Sequence, residues 1–226
     1  MALSILVAII AAPALLASQE SIRQSQSQEK KEEHRARRCN LIASCVKSSV
    51  RSREIDGRPL VLRNGKLYID TGSSDGSPAG HQYAGYYLPY PDTEYEGLVT
   101  TIMDEAPVMN WVFVDNESHE VKYGVRADAQ PNITGPFDCT RQDRRLTFLG
   151  WEGWVAVEES PSIWAIYFDK DDDGLRSKVP PGTRVLEVEL TRKEKRWKMD
   201  STARQHDQTT KRAVDDKSEA PVDVPI

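Results

Sequence analysis

The sequence predicts a mainly β protein, a single antiparallel meander closed as a barrel or folded as a sandwich. A short apolar helix precedes it and a disordered C-terminal tail follows. Three observations predict this. Between about 54 and 198 the apolar residues fall in short runs bounded by Gly, Pro, Asn and Asp, as strands do. No helical period of useful length crosses that region. Trp111, Trp151, Trp154 and Trp164 all fall within it, and large aromatics in strands mostly fill a core.

The elements follow in order. Residues 1–18 hold an almost uninterrupted apolar run, shorter than the ~20 residues of a usual membrane span. No Lys or Arg precedes it and its cleavage sites are poor, so it reads as an anchor before it reads as a secretory signal. Residues 19–53 form a polar spacer whose first half is rich in Gln, Glu, Lys and Arg without an apolar stripe. The β domain spans 54–198. Strands at 59–63 and 66–70 flank Asn64-Gly65, a hairpin turn in which both positions tolerate positive φ. Further runs stand at 83–88, 97–103, 109–114 and 121–125. A second hairpin joins 153–158 to 162–168 around Glu159-Ser160-Pro161, and 184–190 alternates Leu186, Val188 and Leu190 with polar residues. Residues 199–226 hold few large apolar side chains and no period, the signature of a disordered tail.

Composition narrows the function. The formal net charge of −5 argues against a general nucleic-acid binder, which needs clustered Lys and Arg, but leaves room for a local basic patch. Cys39, Cys45 and Cys139 are an odd set with no zinc-ligand spacing, and the four histidines lie far apart; free thiols and surface histidines are the plain reading. Basic residues after the apolar run, Arg35-Ala36-Arg37-Arg38 among them, favour a cytosolic domain held at a membrane. The sequons at Asn116 and Asn132, and the resemblance of residues 35–38 to a processing site, make the secretory pathway the alternative.

Two motifs could carry chemistry. Asp70-Thr71-Gly72-Ser73 has the form of an aspartic-protease turn, whose mechanism needs two carboxylates sharing a proton. No second copy occurs, and the same residues make an ordinary turn. Asp169, Asp171 and Asp173 followed by Gly174 match the start of a calcium loop, with alternating carboxylates converging on a hard cation. Pro180 stands where an EF-hand needs a bidentate Glu, so the expectation is at most a simpler calcium loop. No nucleophile elbow, phosphate loop or dinucleotide fingerprint is present.

Tyr86-Tyr87-Leu88-Pro89-Tyr90-Pro91, Asn110-Trp111-Val112-Phe113-Val114-Asp115, Lys122-Tyr123-Gly124-Val125-Arg126 and Gly135-Pro136-Phe137-Asp138 carry a resemblance that extends over about 54–195. With the short apolar start and charged spacer, the chain resembles a family of fungal proteins of unknown function. The resemblance implies no activity, cofactor or catalytic residue. The expectation is a non-catalytic interaction protein, held at or passed through a membrane by its N-terminus, that binds an unknown protein or small molecule. The alternatives are an enzyme or accessory factor of a fungal secondary-metabolite pathway and a calcium-dependent surface module.

Overall fold

A computed structural model describes residues 20–30, 32–73, 76–103 and 108–194. The apolar run at 2–17 and the expected tail at 199–226 lie outside the described residues. Among the described residues no helix is long and apolar enough to cross a membrane.

Strand β1 (Cys39–Cys45) leads into the hairpin β2 (Arg58–Arg63) and β3 (Lys66–Ile69), then the short β4 (His81–Gln82). A run of neighbours follows: β5 (Gly85–Pro89), β6 (Glu96–Thr101), β7 (Met109–Val114) and β8 (Val121–Gly124). The pair β9 (Phe137–Cys139) and β10 (Leu146–Phe148) precedes the hairpin β11 (Trp154–Ser160) and β12 (Ile163–Phe168), and β13 (Val185–Glu194) ends the domain. All named pairings are antiparallel. One eleven-stranded sheet runs in the order β12-β11-β13-β1-β5-β6-β7-β8-β3-β2-β4, and β9 and β10 form a second, two-stranded sheet. Two further contacts link strands distant in that order: Ala165↔Tyr68 joins β12 to β3, and Ile42↔Pro59 joins β1 to β2.

The expected turn at Asn64-Gly65 forms with φ of 50° and 79°, the left-handed pair that matches the twist of flanking strands. It lets Leu60, Leu62, Leu67 and Ile69 face one core. Phe137, Phe148, Trp154 and Phe168 pack together there, with ring centroids 4.5 Å apart for the tilted Phe137–Phe148 pair and 4.8 Å for the edge-to-face Phe148–Phe168 pair. Trp154 and Trp164 are buried, as core filling requires, whereas Trp111 and Trp151 are half-buried.

The fold begins earlier than the sequence predicts. β1 lies inside the stretch read as a spacer (19–53), and it pairs along its whole length with β13, from Cys39↔Glu194 to Cys45↔Val188. Its alternation of Cys39, Leu41 and Ala43 toward the interior uses small residues, too weak a pattern to mark a strand without its partner. Before it, residues 20–30 and 32–36 are helical and exposed except for Arg35. Nor is the order a simple meander: β5 to β8 run as consecutive neighbours, but β13 lies between β11 and β1, and β3 follows β8.

Candidate functional site

The alternation of β13 sends Val188 and Leu190 into the core, and the next residue in phase is Arg192. A strand with period two carries whatever stands at that position inward, so the guanidinium enters the interior with only 6% of the residue exposed. Its Nη2 donates to the Cys39 sulfur at 3.4 Å and to the Arg37 carbonyl at 3.5 Å, and its Nη1 to the Cys139 sulfur at 3.9 Å. The guanidinium carbon lies 4.4 Å from the centroid of the Tyr87 ring. No carboxylate lies within ion-pair distance of Arg192 among the described residues. A buried cation without a counter-ion costs several kcal/mol, which thiols, a carbonyl and a ring face offset in part.

Strand β1 supplies Cys39, β9 supplies Cys139, and the N-terminal helix closes over both. Arg35, at the end of that helix, is buried, makes ion pairs with Glu96 and Asp138, and stacks 4.2 Å from the same Tyr87 ring. Tyr87 donates to the Asp138 carbonyl at 3.0 Å, and burial raises its phenol well above the ordinary value. Burial likewise pushes the Cys39 thiol up, against the opposing charge of Arg192.

Between the helix and these strands lies a pocket of about 370 Å³. Lys30, Arg35, Arg141, Arg144 and Arg192 line it, with Glu194 as its single carboxylate among the described residues. Glu194 is already engaged by Arg144 at 3.0 Å and by Arg37 and His34, each at 3.5 Å. Burial would raise the Glu194 carboxyl, but Arg144 and Arg37 outweigh it and hold it low. Lys30 and Arg141 form no ion pair among the described residues. On a chain of net charge −5, this concavity is strongly positive. Such a constellation holds an anion, because guanidinium groups present forked N–H donors that match carboxylate and phosphate oxygens.

The aspartates singled out in the sequence lie outside this pocket. Asp169 is buried, and its two oxygens accept the N–H groups of Asp173 at 3.2 Å and Gly174 at 2.7 Å, closing its own loop. Asp171 is exposed and Asp173 half-exposed. Among the described residues no group of three or more His, Cys, Asp or Glu is placed to hold a metal. A wider cleft of about 800 Å³ opens beside it, lined by Trp151, Glu152, Asp169 and Glu187. Two of its carboxylates are ion-paired, Glu187 to Lys47 at 3.0 Å and Glu152 to Arg145 at 3.1 Å. Asp70 accepts the N–H groups of Gly72 and Ala79, both at 3.0 Å, which is the turn role. The two sequon asparagines meet, the Asn132 side-chain oxygen accepting from the Asn116 N–H at 3.1 Å.

Sequence reasoning missed Arg192 and its neighbours. The signal was present: extending Leu186, Val188 and Leu190 by one step places an arginine in the buried phase. In the sequence Arg35 stands out only within a basic run that resembles a processing site, and the two thiols only as free cysteines.

The chain matches a family described as a fungal beta-trefoil domain over residues 17–196. No curated protein and no solved structure matches it. The matched span takes in all thirteen strands of the described residues, the sequence resemblance to a fungal family points the same way, and the chain belongs to the fungal beta-trefoil domain family.

Proposed function

We propose that the protein is a non-catalytic binding module and that the arginine pocket is where it takes a small anionic ligand, a carboxylate or a phosphate. The observation that carries this is Arg192, buried to 6% exposure with no carboxylate in ion-pair reach among the described residues, beside a pocket that holds four more Lys and Arg. A cation so placed gains most from a ligand that supplies the missing charge. The volume of about 370 Å³ suits a small molecule rather than a macromolecular surface. The same reading takes the sheet as closed into a barrel, supported by the Ala165↔Tyr68 contact between β12 and β3. It also keeps the apolar run at 2–17 as a membrane tether with the domain facing the cytosol, on the charge of the following segment alone.

The test is thermal unfolding of the full chain at low ionic strength with phosphate, sulfate or citrate, followed by calorimetric titration. A ligand at a hundred times its Kd adds about 2.7 kcal/mol, a rise of several degrees in Tm for a domain of this size. Lys30→Ala with Arg141→Ala, both outside the core, should weaken binding about tenfold without lowering the Tm of the free protein. Absence of any saturable shift with all three anions sinks the proposal.

A further inference from the structure

We infer that the arginine pocket is also a modification site, where Cys139 forms a mixed disulfide with an anionic low-molecular-weight disulfide of the glutathione class. This rests on reading the pocket as an anion site. Three observations carry it together. The half-exposed Cys139 lines the pocket, so a small reagent reaches its sulfur. The two terminal nitrogens of Arg192 address different sulfurs, Cys139 at 3.9 Å and Cys39 at 3.4 Å. Arg192 itself is more than nine-tenths buried and has no carboxylate among the described residues, so its donors are available to negative charge that develops on sulfur. Lys30 and Arg141, which form no ion pair among the described residues, line the same pocket and meet the carboxylates of the incoming reagent.

The exchange balances within the named partners. The Cys139 sulfur, having released its proton, attacks one sulfur of the small disulfide. The bond between the two small-molecule sulfurs breaks, the Cys139 mixed disulfide forms, and the departing thiolate takes up the proton. Cys139 is oxidised and half of the reagent is reduced to a thiol. Cys39 sits buried at the pocket floor with its thiol pushed up by burial, so it follows rather than leads. Its attack on the mixed disulfide would release the second small thiol and join Cys39 to Cys139. Cys45 lies outside the pocket lining, with its sulfur 3.8 Å from the Ser52 carbonyl, and serves as the internal control.

The experiment treats the reduced full chain with oxidised glutathione and, separately, with the uncharged hydroxyethyl disulfide, and maps adducts by mass spectrometry. Expected is an adduct on Cys139, or the Cys39–Cys139 disulfide that resolves it. The anionic reagent should react about tenfold faster at low salt than at high salt, relative to the neutral one. Cys139→Ser should abolish the product, Cys45→Ser should leave it, and Arg141→Ala should remove the preference for the anionic reagent. Equal reaction at Cys45, or equal rates for both reagents, overturns the inference. If phosphate or citrate still stabilises the protein while Cys139 stays unmodified, this inference fails and the anion pocket stands. If neither anion binding nor charge preference is seen, both fail.

Discussion

At the scale of single residues, Arg192 sets stability against binding. Replacing a buried ion by an apolar side chain of similar length is often neutral or stabilising by about 1–4 kcal/mol, because the desolvation cost disappears. Arg192→Met should therefore raise the urea midpoint of the ligand-free protein while removing the stabilisation by phosphate or citrate. A fall in midpoint of similar size would instead mean that the guanidinium's contacts to Cys39, Cys139 and the Tyr87 ring already outweigh its burial, leaving no deficit for an anion to fill. Asp70 and Asp169 illustrate the opposite case. Each attracts attention as a carboxylate in a motif, yet each accepts backbone N–H groups of its own loop, Asp70 with Oδ1 alone and Asp169 with both oxygens. A short polar motif in sequence does not distinguish a ligand from a turn builder, because both tasks use the same acceptor oxygens.

At the scale of elements, legibility followed the strength of local pattern. The Asn64-Gly65 hairpin and strands such as Met109–Val114 could be placed to within a residue, because turn chemistry and alternation act over a few positions. Strand β1 could not, since Cys39, Leu41 and Ala43 become a strand face only against β13, some 150 residues later. The three-residue strands β9 and β10 were likewise silent as strands, and with them the position of Cys139 beside Cys39. The N-terminal helix shows how little can hold an element. Its residues before Arg35 are exposed, and Arg35 is the one buried side chain among its described residues, paired with Glu96 and Asp138 and donating to the Phe137 carbonyl at 3.3 Å. Arg35→Ala should free the helix from the sheet at a cost of about 1–3 kcal/mol, discounted because both partner carboxylates are partly exposed. Hydrogen exchange checks this: residues 20–36 should exchange much faster while β11 and β12 keep their protection. Uniform loss of protection across the sheet would show that Arg35 supports the core rather than the helix.

At the scale of the whole molecule, the weak points are the places where distant parts of the chain meet. β3 is in ladder register with β12 at one residue pair, Ala165↔Tyr68, and with β8 at another, Lys66↔Lys122. A polar network spans both. Lys66 Nζ lies 2.6 Å from Glu120 and 3.0 Å from Glu159, and Lys122 bridges Glu120 at 3.0 Å to Asp115 at 2.8 Å. Tyr68 donates to Glu159 at 3.1 Å, and Tyr167 Oη stands 2.9 Å from Glu159 and 3.1 Å from Glu120. Removing the shared cation leaves two half-buried carboxylates facing each other, so Lys66→Met should destabilise by about 2–4 kcal/mol. The exposed pair Lys47–Glu187 should yield under 1 kcal/mol on the same substitution, which sets the comparison. Burial would raise the Glu120 carboxyl, but Lys66 and Lys122 overcome it and hold it below its ordinary value. A depressed carboxylate contributes stability that is full above its unfolded pKa of about 4.3 and is lost as pH falls through the lower folded value. The wild type should therefore lose stability in acid below about pH 4.3, and Lys66→Met should flatten that slope. Adding Glu159→Gln to Lys66→Met should recover part of the loss, since the repulsion it relieves exists only once the lysine has gone. Urea midpoints measured between neutral pH and pH 3 read all of these. An unchanged acid slope in Lys66→Met would mean that β3 is held to its neighbours by packing of Val61, Tyr68 and Ala165 alone.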